Sequence, residues 1–140
     1  MSITYFQNNV VTITFDEEQQ LGTAVWNGFL TSEEFREGIT ACVHLIEEYK
    51  PLRWLGDNRK MKVIRQADQE WFVEHILPRI QQSSLRRNAV LVSEDFFNRT
   101  AVEQIYKRAE GQGDMITKDF DNKGHALAWL LESVHLHEQA

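Results

Sequence analysis

Apolar positions change their spacing at Thr31. Before it, Val11, Ile13 and Phe15 alternate with Thr12 and Thr14, the period of a half-buried strand. Ile3 to Phe6 is a shorter candidate strand, and Asn8-Asn9 is a turn signal. Leu21 to Asn27 forms a third strand, antiparallel to the second across the charged link Asp16 to Gln20. After Thr31 the period lengthens to that of a helix. Thr31-Ser32-Glu33-Glu34 has the form of a capping box, and Phe35, Ile39, Cys42, Val43 and Ile46 make one apolar face. Pro51 ends this helix because it supplies no backbone N–H, and the strand Leu52 to Asp57 begins at once.

The alternation then repeats. Ala67 to Gln82 is a second helix, with Asp68 placed to cap it or to favour its positive end and Trp71, Phe72, Ile76 and Ile80 facing inward. Pro78 removes a donor inside it and predicts a kink near Glu74 to His75. Asn88 to Val92 is a continuous apolar run, the mark of a strand buried on both faces. Ser93-Glu94-Asp95 caps a third helix with Phe97, Ala101, Val102 and Ile105 inward, stopped at Gly111-Gln112-Gly113. Met115 to Phe120 is a less apolar strand suited to an edge. Asp121 or Asn122 caps a last helix carrying Ala126, Trp129, Leu130 and Val134. The predicted fold is α/β, in the order βββαβαβαβα. It forms one domain over residues 1–140, a mixed but mostly parallel sheet with about four helices on its faces.

Composition narrows the function classes. A net charge of −6 argues against a nucleic-acid-binding body, which needs a basic face. The single cysteine, Cys42, allows no internal disulfide framework and suits a reducing cytoplasm. The first residues lack the basic and apolar regions of a signal peptide, and no apolar run approaches the roughly 20 residues of a spanning helix.

Candidate chemistry gathers where the fourth strand ends. In parallel sheets ligands and partners bind at the carboxyl ends of strands. There stand Asp57, Asn58, Arg59, Lys60, Lys62 and Arg65, beside the amino end of the second helix. The basic residues suit a phosphate or carboxylate, although a solvated loop is the simpler reading. Asp57 could serve as a base or phosphoacceptor; more simply, it anchors the next turn or bonds a neighbouring arginine. No serine, histidine or cysteine stands in sequence to form a relay with it. His135 and His137, two apart, make a poor metal pair, and His44, His75 and His125 are dispersed, so no metal or cofactor is expected. Four tryptophans, among them Trp26 and Trp71, could line an apolar pocket or a dimer face, or simply pack in the core.

Several segments together resemble one family. Trp26-Asn27-Gly28-Phe29 with Thr31 to Arg36, Trp54 to Arg59, Asp68-Gln69-Glu70-Trp71 and Ala126 to Leu131 look like the small bacterial STAS-like proteins, relatives in fold of the sporulation anti-sigma-factor antagonist. The resemblance implies a sheet of four to six strands flanked by helices, used for docking or ligand sensing rather than catalysis. One departure is clear. Phosphorylatable STAS domains have a serine after the aspartate at the end of the central strand, whereas here no Ser or Thr follows Asp57 until Ser83. Two readings follow. One is a non-catalytic regulatory module with a protein partner or a second copy of itself in a homodimer. The other is a binder of, or small enzyme acting on, an anionic or amphiphilic molecule held between sheet and helices, with Arg59 and Lys62 on the anionic group.

Overall fold

The computed structural model describes residues 2–109 and 113–134. Strands β1 (Ser2–Gln7), β2 (Val11–Asp16), β3 (Leu21–Gly28), β4 (Arg53–Met61), β5 (Arg87–Leu91) and β6 (Ile116–Phe120) make one sheet in sequence order. β1, β2 and β3 pair antiparallel as a meander, and β3, β4, β5 and β6 pair parallel. The α/β class is therefore as expected. β4 is an interior strand, and β6 is at an edge.

The helices are distributed unequally. Helix α1 (Ser32–Tyr49), the run α2 (Gln66–Trp71), π-helical turn (Phe72–Ile76) and α3 (Leu77–Gln81), and α4 (Phe96–Ala109) bridge successive parallel strands. Right-handed crossovers that always step the same way leave their helices on the same face. One core follows, with Phe35, Val43 and Ile46 of α1, Phe72, and Ile105 of α4 packed on Ile13, Trp26, Trp54 and Val90. Among the described residues, helix α5 (Lys123–Leu130) is the one helix on the opposite face, where Ala126 and Leu130 cover Leu21, Leu55, Ala89 and Leu91. Strand alternation sends Trp54 to the first core and Leu55 to the second.

Local signals account for most boundaries. The Thr31 hydroxyl accepts from Glu34 N at 3.1 Å while Glu34 accepts from Thr31 N at 3.4 Å, the reciprocal box the sequence predicts. Asp95 caps α4, its Oδ1 accepting from the backbone of Phe97 at 2.9 Å and Asn98 at 3.1 Å.

Four expectations are corrected. Asp68 does not cap α2, whose N-cap is Arg65, although it does stand in the first turn at the positive end; it is buried and accepts from Ser32 Oγ at 2.8 Å and Arg36 Nε at 2.9 Å, tying α2 to α1. The disturbance at Pro78 takes the form of the π turn, in which Leu77 N reaches back to Phe72 O, because Pro78 has no N–H to give Glu74. Phe97, expected inside, is 69% exposed. Val134 is not helical, since α5 ends at Leu130. His135, His137 and the stop signal at Gly111-Gln112 lie outside the described residues.

Candidate binding chamber

β4 outruns its neighbour. Its pairing with β5 ends at Asp57 opposite Leu91, but with β3 it continues to Met61 opposite Gly28. The register jumps between Val25–Asp57 and Asn27–Lys60, so Asn58 and Arg59 both lie opposite Trp26. This is a β-bulge, a device that re-aims side chains next to binding sites. The strand therefore runs past its expected end at Asp57, and the predicted site divides among three places.

Asp57 and Arg59 form a pair. Asp57 Oδ1 accepts from Arg59 N at 3.2 Å and Nε at 3.0 Å, and Oδ2 from a terminal guanidinium nitrogen at 2.7 Å. Burial alone raises the Asp57 pKa, but the bonds from the Arg59 side chain and backbone, with Lys123 nearby, outweigh it and hold the carboxyl below its usual value. A base working near neutrality needs the opposite shift. The simpler expectation, that Asp57 bonds a neighbouring arginine, matches the geometry.

Lys60, Lys62 and Arg65 are exposed at the carboxyl end of the sheet and have no ion-pair partner among the described residues. Trp71 is half-buried, edge-on to Phe35 at 6.3 Å and under the Arg36 guanidinium at 5.1 Å, so it is not a free docking aromatic.

Asn58 and Trp26 go to the interior, where the layers of the larger core fail to close. A chamber of about 80 Å³ remains between the sheet and α1, the π turn and α4. One water needs roughly 10–15 Å³ on this scale, so the space holds several. Trp26, at 5% exposure, and Trp54, at 7%, form much of its wall, which excludes Trp26 from an outer dimer face. Its polar groups are the Asn58 and Asn88 amides, the Tyr106 hydroxyl and the Cys42 thiol, and no Asp, Glu, Lys, Arg or His lines it. Asn88 reaches Thr117 Oγ1 at 3.5 Å and lies close enough to Tyr106 to act on its hydroxyl. Asn58 is 8% exposed, and its amide has no partner among the described residues. Burial pushes the Tyr106 hydroxyl up to about 12, the Asn88 hydrogen bond working the other way. Burial also drives the Cys42 thiol far above its usual range, so it is a protonated, inert group rather than a thiolate nucleophile.

Sequence reasoning missed Asn88 and Tyr106 as wall residues. A signal existed: Asn88 is the one polar side chain opening a run that is otherwise apolar. Among the described residues no three His, Cys, Asp or Glu side chains are grouped to hold a metal ion. No described helix is long and apolar enough to cross a membrane. Comparison of the chain with models of protein families, with curated proteins and with solved structures gives no match.

Proposed function

We propose that the chain is a non-catalytic, ligand-sensing domain that takes an uncharged, largely apolar small molecule into the chamber beneath α1 and α4. The observation that carries this reading is the unpartnered Asn58 amide in an otherwise apolar wall. With no hydrogen bond made among the described residues, this amide is free to bond a carbonyl or hydroxyl of a bound molecule, a gain of about 0.5–1.5 kcal/mol. Apolar walls with a few placed polar groups are the usual make-up of a small-molecule site. The charge of the ligand follows from the same walls. An ionised carboxylate inside would meet no cation, at a cost of several kcal/mol. Arg59 is engaged by Asp57, and neither it nor Lys62 lines the chamber, so neither offers a cation to an anionic group inside it. The STAS-like resemblance agrees with a sensing role and extends it to a regulatory module that docks a partner. The absence of a serine after Asp57 favours control by ligand over control by phosphorylation.

Thermal denaturation against matched pairs, medium-chain amides and alcohols beside the carboxylates of equal length, tests the proposal. A neutral ligand at a hundred times its dissociation constant adds about 2.7 kcal/mol, on the order of 10 °C in a domain of this size. The carboxylates are expected to add nothing, and Asn58→Leu to abolish the gain while remaining folded. Neutral compounds that shift neither protein overturn the reading.

A further inference from the structure

The carboxyl end of the sheet carries a second feature, separate from the chamber. Phe29 is 79% exposed, Phe97 69%, Phe96 62% and Val63 44%. Hydrogen bonds bring these loops together. Lys62 N donates to Gly28 O at 3.1 Å, which sets Val63 near Phe29. Asn98 Nδ2 donates to Lys62 O at 2.8 Å, and Ser93 Oγ to Met61 O at 2.7 Å, which set the start of α4 beside them. Glu94 N donates to Arg59 O at 3.3 Å. Phe96 and Phe97 meet edge to face at 5.8 Å, and the Arg99 guanidinium lies 5.9 Å over Phe96. Lys60, Lys62 and Arg65 are exposed in the same loops; Glu94, Glu33 in the first turn of α1 and Asp121 after β6 are exposed acids at this end, and the Asp95 carboxylate is taken up by the α4 backbone. A protein of net charge −6 thus gathers four outward apolar side chains at one end, with cations that have no ion-pair partner among the described residues.

We propose that this rim docks on the surface of an anionic phospholipid membrane, the phenylalanines and Val63 entering the headgroup boundary and the cations meeting lipid phosphates. Charge complementarity selects this occupant. A two-fold dimer through the rim would bring its cations against an identical set, whereas an anionic lipid surface attracts each of them. Phe side chains that stand this far out suit a deformable layer, in which apolar residues sit with Lys and Arg beside them.

Co-sedimentation of the full chain with vesicles, phosphatidylcholine alone or with about a third phosphatidylglycerol, tests it without any chamber ligand. Binding is expected on the anionic vesicles only, and to weaken in 0.5 M salt. Removing one rim cation is expected to cost about fivefold in partitioning, so Lys62→Gln with Arg65→Gln costs roughly 25-fold. Phe96→Ser with Phe97→Ser, both at exposed positions, is expected to cost at least tenfold with the melting temperature held. Lys107→Gln, an exposed cation near the far end of α4, is the control and changes nothing beyond twofold. No binding to anionic vesicles at low salt, or binding that the rim variants leave intact, overturns the proposal. So does self-association lost in the rim variants without vesicle binding, which would make the rim a contact between copies.

Discussion

At the scale of single residues, Asp57 shows how a strand end becomes structural rather than catalytic. Its carboxylate takes three hydrogen bonds from Arg59 and is only 11% exposed. Asp57→Asn is expected to lower stability at pH 7 by about 1–3 kcal/mol, the range for hydrogen bonds to charged groups. The folded pKa lies below the unfolded value of roughly 3.9, so this contribution is complete above that pH and is lost as the pH falls through the folded pKa. Urea denaturation at pH 7 and pH 3 checks the sign: the gap between wild type and variant should shrink in acid, and a gap that widens refutes the pairing. Gly22 sets a second test. A Cβ there would lie 2.2 Å from the Trp54 ring, which is packed in the larger core and borders the chamber. Gly22→Ala is expected to cost about 1–3 kcal/mol by overpacking, read from the same denaturation curves. The Asp57–Arg59 bond was legible in the sequence because the partners lie only two residues apart, although the strand that carries both was expected to end at Asp57. The seating of Trp54 over Gly22 was not, because 32 residues and a helix separate them.

Elements tell a similar story of local rules and distant overrides. The capping box of α1 is local, and it formed as written. Thr31→Ala should therefore cost about 1 kcal/mol in chemical denaturation and Thr31→Ser much less, since serine keeps the accepting oxygen. Equal losses would mean that the methyl group matters more than the cap. Three boundaries departed from expectation, each because a remote group intervened. At the α2 start the Asp68 carboxylate turns to Ser32 and Arg36 instead of capping the helix. The bulge carried β4 beyond Asp57 because β3 supplied pairing partners as far as Gly28. Helix α5 stops at Leu130 where the sheet claims its last carbonyls: Arg53 Nε donates to Leu130 O at 2.6 Å, and Arg87 donates to Trp129 O. Cations at a helix carboxyl end also complement its dipole. None of these partners is adjacent in sequence, so periodicity alone extended α5 to Val134.

At the scale of the whole molecule, the sheet separates two cores of unequal size, three crossovers' helices on one side and α5 on the other. The sequence indicated α/β and a last strand at the edge, but the uneven layering depends on strand order, which apolar spacing does not encode. An eight-residue helix on its own face of the sheet is small enough to be a separate unfolding unit. The strands argue otherwise, because β3, β4 and β5 each supply residues to both cores: Leu21 and Trp26, Leu55 and Trp54, Ala89 and Val90. Loss of the smaller core therefore weakens the strands that support the larger one. Leu130 has no exposed surface, and Leu130→Ala is expected to cost about 2–5 kcal/mol. The loss should move the entire transition, so backbone circular dichroism and tryptophan fluorescence, with Trp26 and Trp54 in the larger core and Trp129 beside the smaller, coincide as they do for a two-state domain. Two separated transitions in Leu130→Ala would show that α5 unfolds independently, and the sheet could not then be the shared support that joins the two cores.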